Sequence, residues 1–240
     1  MSVTATTEIS NRGSLTPEIK LHLVTPRCQL WTATAEKLIE LGVEDPFWAI
    51  YWPGGQGLAR YILNNPDVVH SKSVLDVGCG GGACAIAAKM AGASEVCAND
   101  INPDAIAAVQ LNSALNDVKL SVFSHNLLGA NNLKTQYQNR ILELILAVLF
   151  FAGDVTYDEH MSHAVLQWIR GLLVEGKRVL LGCPGRPTFP QSDFQRILRC
   201  VAKYTLTPET QEENHGFKET FVWSSPHVSQ EPKHSKNKLS

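Results

Sequence analysis

Residues 74 to 82 read Val-Leu-Asp-Val-Gly-Cys-Gly-Gly-Gly. Val74 to Val77 has the apolar character of a strand buried on both faces. Gly78, Gly80 and Gly82 let the chain turn tightly and approach a ligand closely. Ala83 to Met90 follows as an Ala-rich helix, with Gly92 placed as a C-cap. A second apolar run, Glu95 to Ala98, comes just before Asp100. Strand, glycine turn, helix, strand and acid form the spacing by which a βαβ unit holds an adenosine-bearing cofactor, with the acid on the ribose diol.

The pattern continues on the C-terminal side. Asn102-Pro103 supplies a capping side chain and a first-turn proline for a helix over 104–115. Lys119 to Phe123 predicts a third strand, and the apolar run Ile141 to Ala152 a fourth, followed by a helix from about Glu159 to Leu173. A fifth strand over 177–181, a helix over 194–201 and short strands at 203–206 and 219–223 complete the order. Alternating strands and helices predict an α/β chain with a Rossmann-like, doubly wound, mostly parallel sheet. Residues 1–45 are expected as an N-terminal extension, partly helical or flexible, 46–225 as the cofactor-binding domain, and 226–240, rich in Ser, Lys and His, as a disordered tail.

Bulk properties narrow the function. The 240 residues suffice for one α/β domain with short extensions, and 44% apolar with 18% charged residues is ordinary for a globular chain. A formal net charge of −2 gives no electrostatic footprint for nucleic acid. The longest apolar run is about half of what a bilayer-spanning helix needs, so no membrane partner is expected. The six cysteines form no Cys-x-x-Cys pair and have no zinc-spaced histidine, so no metal site is expected and a reducing compartment fits. Met1 to Lys20 resembles neither a secretory signal nor a good mitochondrial presequence.

Charge selects among adenosine cofactors. A dinucleotide would place its pyrophosphate at the helix N-terminus, where Asp76 would repel it. S-adenosylmethionine carries an ammonium and a sulfonium instead, which a carboxylate attracts. Gly78, Gly80 and Gly82 also depart from the Gly-x-Gly-x-x-Gly spacing of dinucleotide sites. The expected cofactor-binding residues are Trp52, Asp76, Gly78, Gly80, Gly82, Asp100 and Asn126, the last placed after the third strand to meet the adenine edge.

The glycine motif with Asn99-Asp100 resembles motif I and the second-strand acid of the seven-β-strand methyltransferases. Two further segments resemble the protein-lysine methyltransferases that share an Asp/Glu-x-x-Tyr/Phe motif: Pro46-Phe47-Trp48-Ala49-Ile50-Tyr51-Trp52-Pro53-Gly54-Gly55 and Gly153-Asp154-Val155-Thr156-Tyr157. Within that group the chain is most similar to the electron transfer flavoprotein β-subunit lysine methyltransferases, from about Ser14 to Trp223. Two features depart from the family pattern: about four additional apolar residues between Glu143 and Gly153, and Cys183 in place of an Asp before Pro184-Gly185-Arg186.

The resemblance implies a seven-stranded sheet, transfer of a methyl group from S-adenosylmethionine to lysine, and the electron transfer flavoprotein β subunit as protein partner. It also implies a mitochondrial matrix location, whereas Met1 to Lys20, with no clear presequence, leaves two alternatives: a cytoplasmic protein, or a targeting segment absent from this chain. Asp154 and Tyr157 are the expected catalytic pair. Three apart, they share a face if the segment turns helically, so that Asp154 aims the incoming amine rather than acting as a strong base. Trp48, Tyr51 and Trp52 read either as a packed aromatic lid or as a cover for cationic groups. Arg186 reads either as a ligand-end residue of the sheet or as a surface arginine. Two other functions stay open: a methyltransferase for another protein or a small molecule, and a non-catalytic S-adenosylmethionine-binding homologue.

Overall fold

The computed structural model describes residues 3–11, 13–42, 46–127, 149–153, 159–187, 191–214 and 216–226. Strands β1 (Glu8–Ser10) and β2 (Leu21–Leu23) form an antiparallel pair near the N-terminus. The main sheet contains β3 (Ser73–Val77), β4 (Glu95–Asn99), β5 (Ser121–Phe123), β6 (Leu149–Gly153), β7 (Arg178–Cys183), β8 (Arg199–Thr205) and β9 (Glu219–Ser224). It is seven-stranded, in the order β5-β4-β3-β6-β7-β9-β8. Only β9 runs against the others, pairing antiparallel with β7 on one side and β8 on the other.

The helices are α1 (Val3–Thr6), α2 (Ala35–Leu41), α3 (Pro53–Asn64), α4 (Ala83–Met90), α5 (Pro103–Leu115), α6 (Glu159–Val174), α7 (Gln191–Gln195) and α8 (Pro208–Glu213). Strand pleat divides the core between the two faces of the sheet. Val74, Val96, Ala98, Leu180 and Val222 pack with Leu58, Ala59 and Ile62 of α3 and with the alanines of α4. Leu75, Val77, Cys97, Val179 and Leu181 pack on the opposite face, against Val165, Leu166, Ile169 and Leu172 of α6. Helices on both faces and parallel central strands explain why β3, β4 and β7 read as nearly continuous apolar runs.

α3 lies unusually close to the sheet. A Cβ on Gly182 would come within 2.1 Å of the Gly54 carbonyl oxygen, and one on Gly57 within 2.5 Å of Thr220 Cγ2. Glycine at 182 therefore permits backbone-to-backbone approach of the helix to β7, and glycine at 57 makes room for the Thr220 side chain of β9.

Several boundaries differ from those predicted. Residues 194–201 were expected as a helix, but α7 ends at Gln195 and Arg199–Thr205 is a strand. Pairing with β9, through an irregularity between Cys200 and Ala202, outweighs the weak helical pattern there. The fourth strand, predicted over 141–152, is described from Leu149 to Gly153, in register with Val74 to Val77; residues 141–148 lie outside the described residues. The N-terminal region adds the unpredicted β1–β2 pair. Ile19 and Leu21 are buried in the same cluster as Leu58, Ile62 and Val74. Most of the expected tail, 227–240, lies outside the described residues.

Candidate active site

β4 and β6 flank β3 on opposite sides, so the winding direction of the sheet reverses at β3. A crevice opens at the carboxyl ends of the strands at such a reversal, where open α/β sheets bind their ligands. The glycine turn emerges from β3 into that crevice.

The turn holds three left-handed residues, Gly78 (φ 63°), Gly80 (φ 50°) and Gly82 (φ 82°), a conformation in which a side chain is strained. At Gly80 a Cβ would also stand 3.1 Å from the Trp48 carbonyl oxygen, and at Gly82 3.0 Å from Val109 Cγ2. The turn is thus packed between the 46–52 segment and α5. The cleft beside it is lined by Asp76, Gly78, Gly80, Gly81, Ala83 and Cys84 on one side, and by Trp48, Tyr51, Trp52, Leu21 and Leu23 on the other.

Asp76 is 1% exposed, and its Oδ2 accepts the Ala85 amide in the first turn of α4 at 3.0 Å. Burial pushes its carboxyl up to about 7; the Ala85 amide works against that rise, and the charge of Asp100 adds to it. Asp100 accepts the Gly80 amide on Oδ2 at 2.9 Å and the Asn102 amide on Oδ1 at 3.0 Å. Burial raises its pKa as well, against the pull of those backbone donors. Among the described residues neither carboxylate meets a cationic side chain.

Two of the amides at the turn and helix N-terminus, those of Gly80 and Ala85, are already bonded to carboxylates, which disfavours a pyrophosphate there. What remains is a partly desolvated pocket with two carboxyl groups at its base. Among the described residues no group of three or more His, Cys, Asp or Glu side chains is arranged to hold a metal ion.

Trp52 caps α3 ahead of Pro53, and its indole Nε1 donates to the Phe47 carbonyl at 2.8 Å. The Arg186 guanidinium lies 5.3 Å from the Trp52 ring centroid and 5.5 Å from that of Phe217. Arg186 therefore belongs to the mouth of the site rather than to an unrelated surface. Tyr51 is fixed by a 2.9 Å hydrogen bond between its hydroxyl and Thr16 Oγ1, and burial pushes its phenol up. Asn126 is exposed after β5. Asp154 and Tyr157, the expected catalytic pair, lie outside the described residues; β6 ends at Gly153, beside Gly182 of β7.

Sequence reasoning missed four contributors. Asn99, buried at the end of β4, donates from Nδ2 to the carbonyls of Phe123 (3.2 Å) and His125 (3.0 Å), tying β4 to the loop that carries Asn126. An amide closing an apolar strand was the available signal, since a buried amide needs partners. Asn112 on α5 bonds the glycine turn through Gly81. Leu21 and Leu23 form part of the cleft wall from outside the glycine motif, and no local pattern marks them.

Relatives show the same assignment. The human electron transfer flavoprotein beta subunit lysine methyltransferase is 46% identical over 218 residues, covering 90% of this chain and 78% of the relative. The rat protein of the same name is 44% identical over 219 residues, covering 90% of this chain and 80% of the relative. This chain belongs to the electron transfer flavoprotein beta subunit lysine methyltransferase family. A homolog from Caenorhabditis elegans is 33% identical over 221 residues, covering 88% of this chain and 89% of the relative. The family model for ribosomal protein L11 methyltransferase (PrmA) matches residues 61–154, which run from α3 through the glycine turn to just past β6. The fold is shared with a proposed RNA methyltransferase from Pyrococcus horikoshii, at a TM-score of 0.52 and 13% identity over 78% of this chain and 90% of that one. Membership makes the protein a lysine methyltransferase by family.

Proposed function

We propose that the protein is an S-adenosylmethionine-dependent protein-lysine N-methyltransferase whose acceptor is the electron transfer flavoprotein β subunit. The observation that carries the cofactor is the buried Asp76 carboxyl, raised to about 7 and facing no cationic side chain among the described residues. A bound cation there would restore its ionised form. S-adenosylmethionine supplies that charge together with a transferable methyl group. In this assignment Asp100 accepts the ribose hydroxyls, Asn126 meets the adenine edge, and Trp52 covers the sulfonium end.

The acceptor rests on the relatives, whose names specify the β subunit. Lysine is almost wholly protonated near neutral pH, so the site must let a proton leave before the lone pair can attack in line. Asp154 is assigned to aiming the ammonium and Tyr157 to flanking it; both roles rest on the motif spacing. We extend the proposal to the mitochondrial matrix as the compartment of enzyme and acceptor, with cell fractionation as its check. A protein confined to the cytosol would remove that part.

Labelled S-adenosylmethionine incubated with purified electron transfer flavoprotein, followed by peptide mapping, tests the whole. Label on β-subunit lysines is expected, and its loss in Asp154→Ala with cofactor binding retained would support the role of Asp154. An unlabelled β subunit sinks the acceptor assignment. Cofactor binding with no transfer to any protein would identify a non-catalytic homologue.

A further inference from the structure

Asn112 is completely buried on α5. Both ends of its amide are used. Nδ2 donates to the Gly81 carbonyl in the glycine turn at 2.9 Å, and Oδ1 accepts the His22 amide of β2 at 2.8 Å. A side-chain amide with a donor and an acceptor is suited to joining a carbonyl to an N–H. One turn along the helix, Asn116 makes a second link to the same segment. Its Oδ1 accepts the Lys20 amide at 2.9 Å, and its Nδ2 donates to the Lys20 carbonyl at 2.6 Å.

The segment so held is a wall of the cleft. Leu21 and Leu23, on either side of His22, line it opposite Asp76 and the glycines. Leu21 is also part of the central core, whereas Leu23 packs at its margin. Thr16, further up the chain, bonds Tyr51, which lines the same space. Asn112 thus hydrogen-bonds both the glycine turn and the strand that lines the cleft.

We propose that Asn112 is a positioning residue that couples the glycine turn to β2, so that cofactor binding and the ordering of residues 20–24 are linked. The inference rests on the cleft being the S-adenosylmethionine site. Any ligand that settles the turn in one position also settles the Gly81 carbonyl, and through the Asn112 amide the backbone of His22. Linkage then requires the reverse: a well-placed β2 tightens cofactor binding. Asn116 holds the same strand without touching the turn, so its loss loosens β2 but does not break the coupling.

Hydrogen exchange with and without S-adenosylhomocysteine tests this in the full chain. In the unsubstituted protein the ligand should slow exchange of the amides at 21–24 as well as at 78–85. Asn112→Asp keeps an acceptor for the His22 amide but replaces the donor to Gly81 by a carboxylate oxygen. It should bind S-adenosylhomocysteine about tenfold more weakly, the scale of one lost buried hydrogen bond, with slowing at 21–24 abolished. In kinetics with the protein acceptor the loss should fall on KM for S-adenosylmethionine more than on kcat. Asn116→Ala should exchange faster at 20–24 throughout, yet still slow when ligand is added. Ligand-bound unsubstituted protein with unchanged exchange at 21–24 overturns the proposal even if Asn112→Asp does not fold. Slowing retained in Asn112→Asp also overturns it. Failure of the unsubstituted protein to bind S-adenosylhomocysteine removes the cofactor assignment and this inference together.

Discussion

At the scale of single residues, Asp76 sets stability against function. Its folded pKa of about 7 stands above the ordinary 3.8, so between those values the folded state binds a proton that the unfolded chain has released. Stability of the ligand-free protein is therefore fullest below about pH 4 as far as Asp76 is concerned, and its contribution is lost as pH rises through 7. A shift of this size corresponds to about 4 kcal/mol. Asp76→Asn keeps an acceptor for the Ala85 amide and removes the charge. The variant should unfold at higher urea than the parent above pH 7, and the difference should shrink toward pH 4. It should also bind S-adenosylhomocysteine more weakly. A parent and variant with parallel pH profiles would show that the Asp76 carboxyl is ordinary. Asp100→Asn should weaken S-adenosylhomocysteine binding by roughly tenfold or more, as one acceptor of a bidentate contact becomes a donor; calorimetric titration of parent and variant reads the difference directly.

At the scale of elements, the site depends on how closely α3 can lie on the sheet. Gly182 sits under the Gly54 carbonyl, 2.1 Å from where a Cβ would be. Gly182→Ala must push the first turn of α3 off β7, and with it the Trp52 cap and the cover of the cleft. A backbone collision of this kind is expected to cost about 3 kcal/mol, or roughly 6–12 °C in melting temperature for a chain of this length. Calorimetry in which Gly182→Ala melts with the parent would refute the close approach. Much of the element order was legible, because β3, α4, β4 and α5 carry their own signals: apolar runs, a capping Asn102 and a first-turn Pro103. The end of the sheet was legible only in part: strands were read at 203–206 and 219–223, but the start of β8 was read as helix. Arg199 to Thr205 has mixed local preference, and only the ladder with β9 makes it a strand. Nothing local to 219–224 says that β9 enters antiparallel between β7 and β8.

At the scale of the whole molecule, the N-terminal residues belong to the same body as the cofactor domain. Gly13 accepts hydrogen bonds from the Thr207 and Thr210 hydroxyls at the start of α8, and Gln56 Oε1 accepts from both Leu15 N–H and Thr210 Oγ1. With Ile19 and Leu21 buried among Leu58, Ile62 and Val74, the chain should unfold in one cooperative transition, seen identically by circular dichroism and tryptophan fluorescence. Leu21→Ala should lower unfolding free energy by about 3 kcal/mol, the usual cost of a cavity in a close-packed core. Two separated transitions, or a Leu21→Ala protein as stable as the parent, would show the N-terminal segment to be an independent appendage.

The sequence by itself determined the βαβ unit, the tight glycine turn and the two acids. All of these arise from interactions between residues close along the chain, where spacing and side-chain chemistry are sufficient. The tertiary structure alone decided that Asp76 is buried deeply enough to hold its proton near neutrality, that Asn112 joins the turn to β2, and that Leu21 and Leu23 wall the cleft. Those properties depend on contacts between segments tens of residues apart, brought together by burial of apolar surface, which carries no local signature of the partner it will meet.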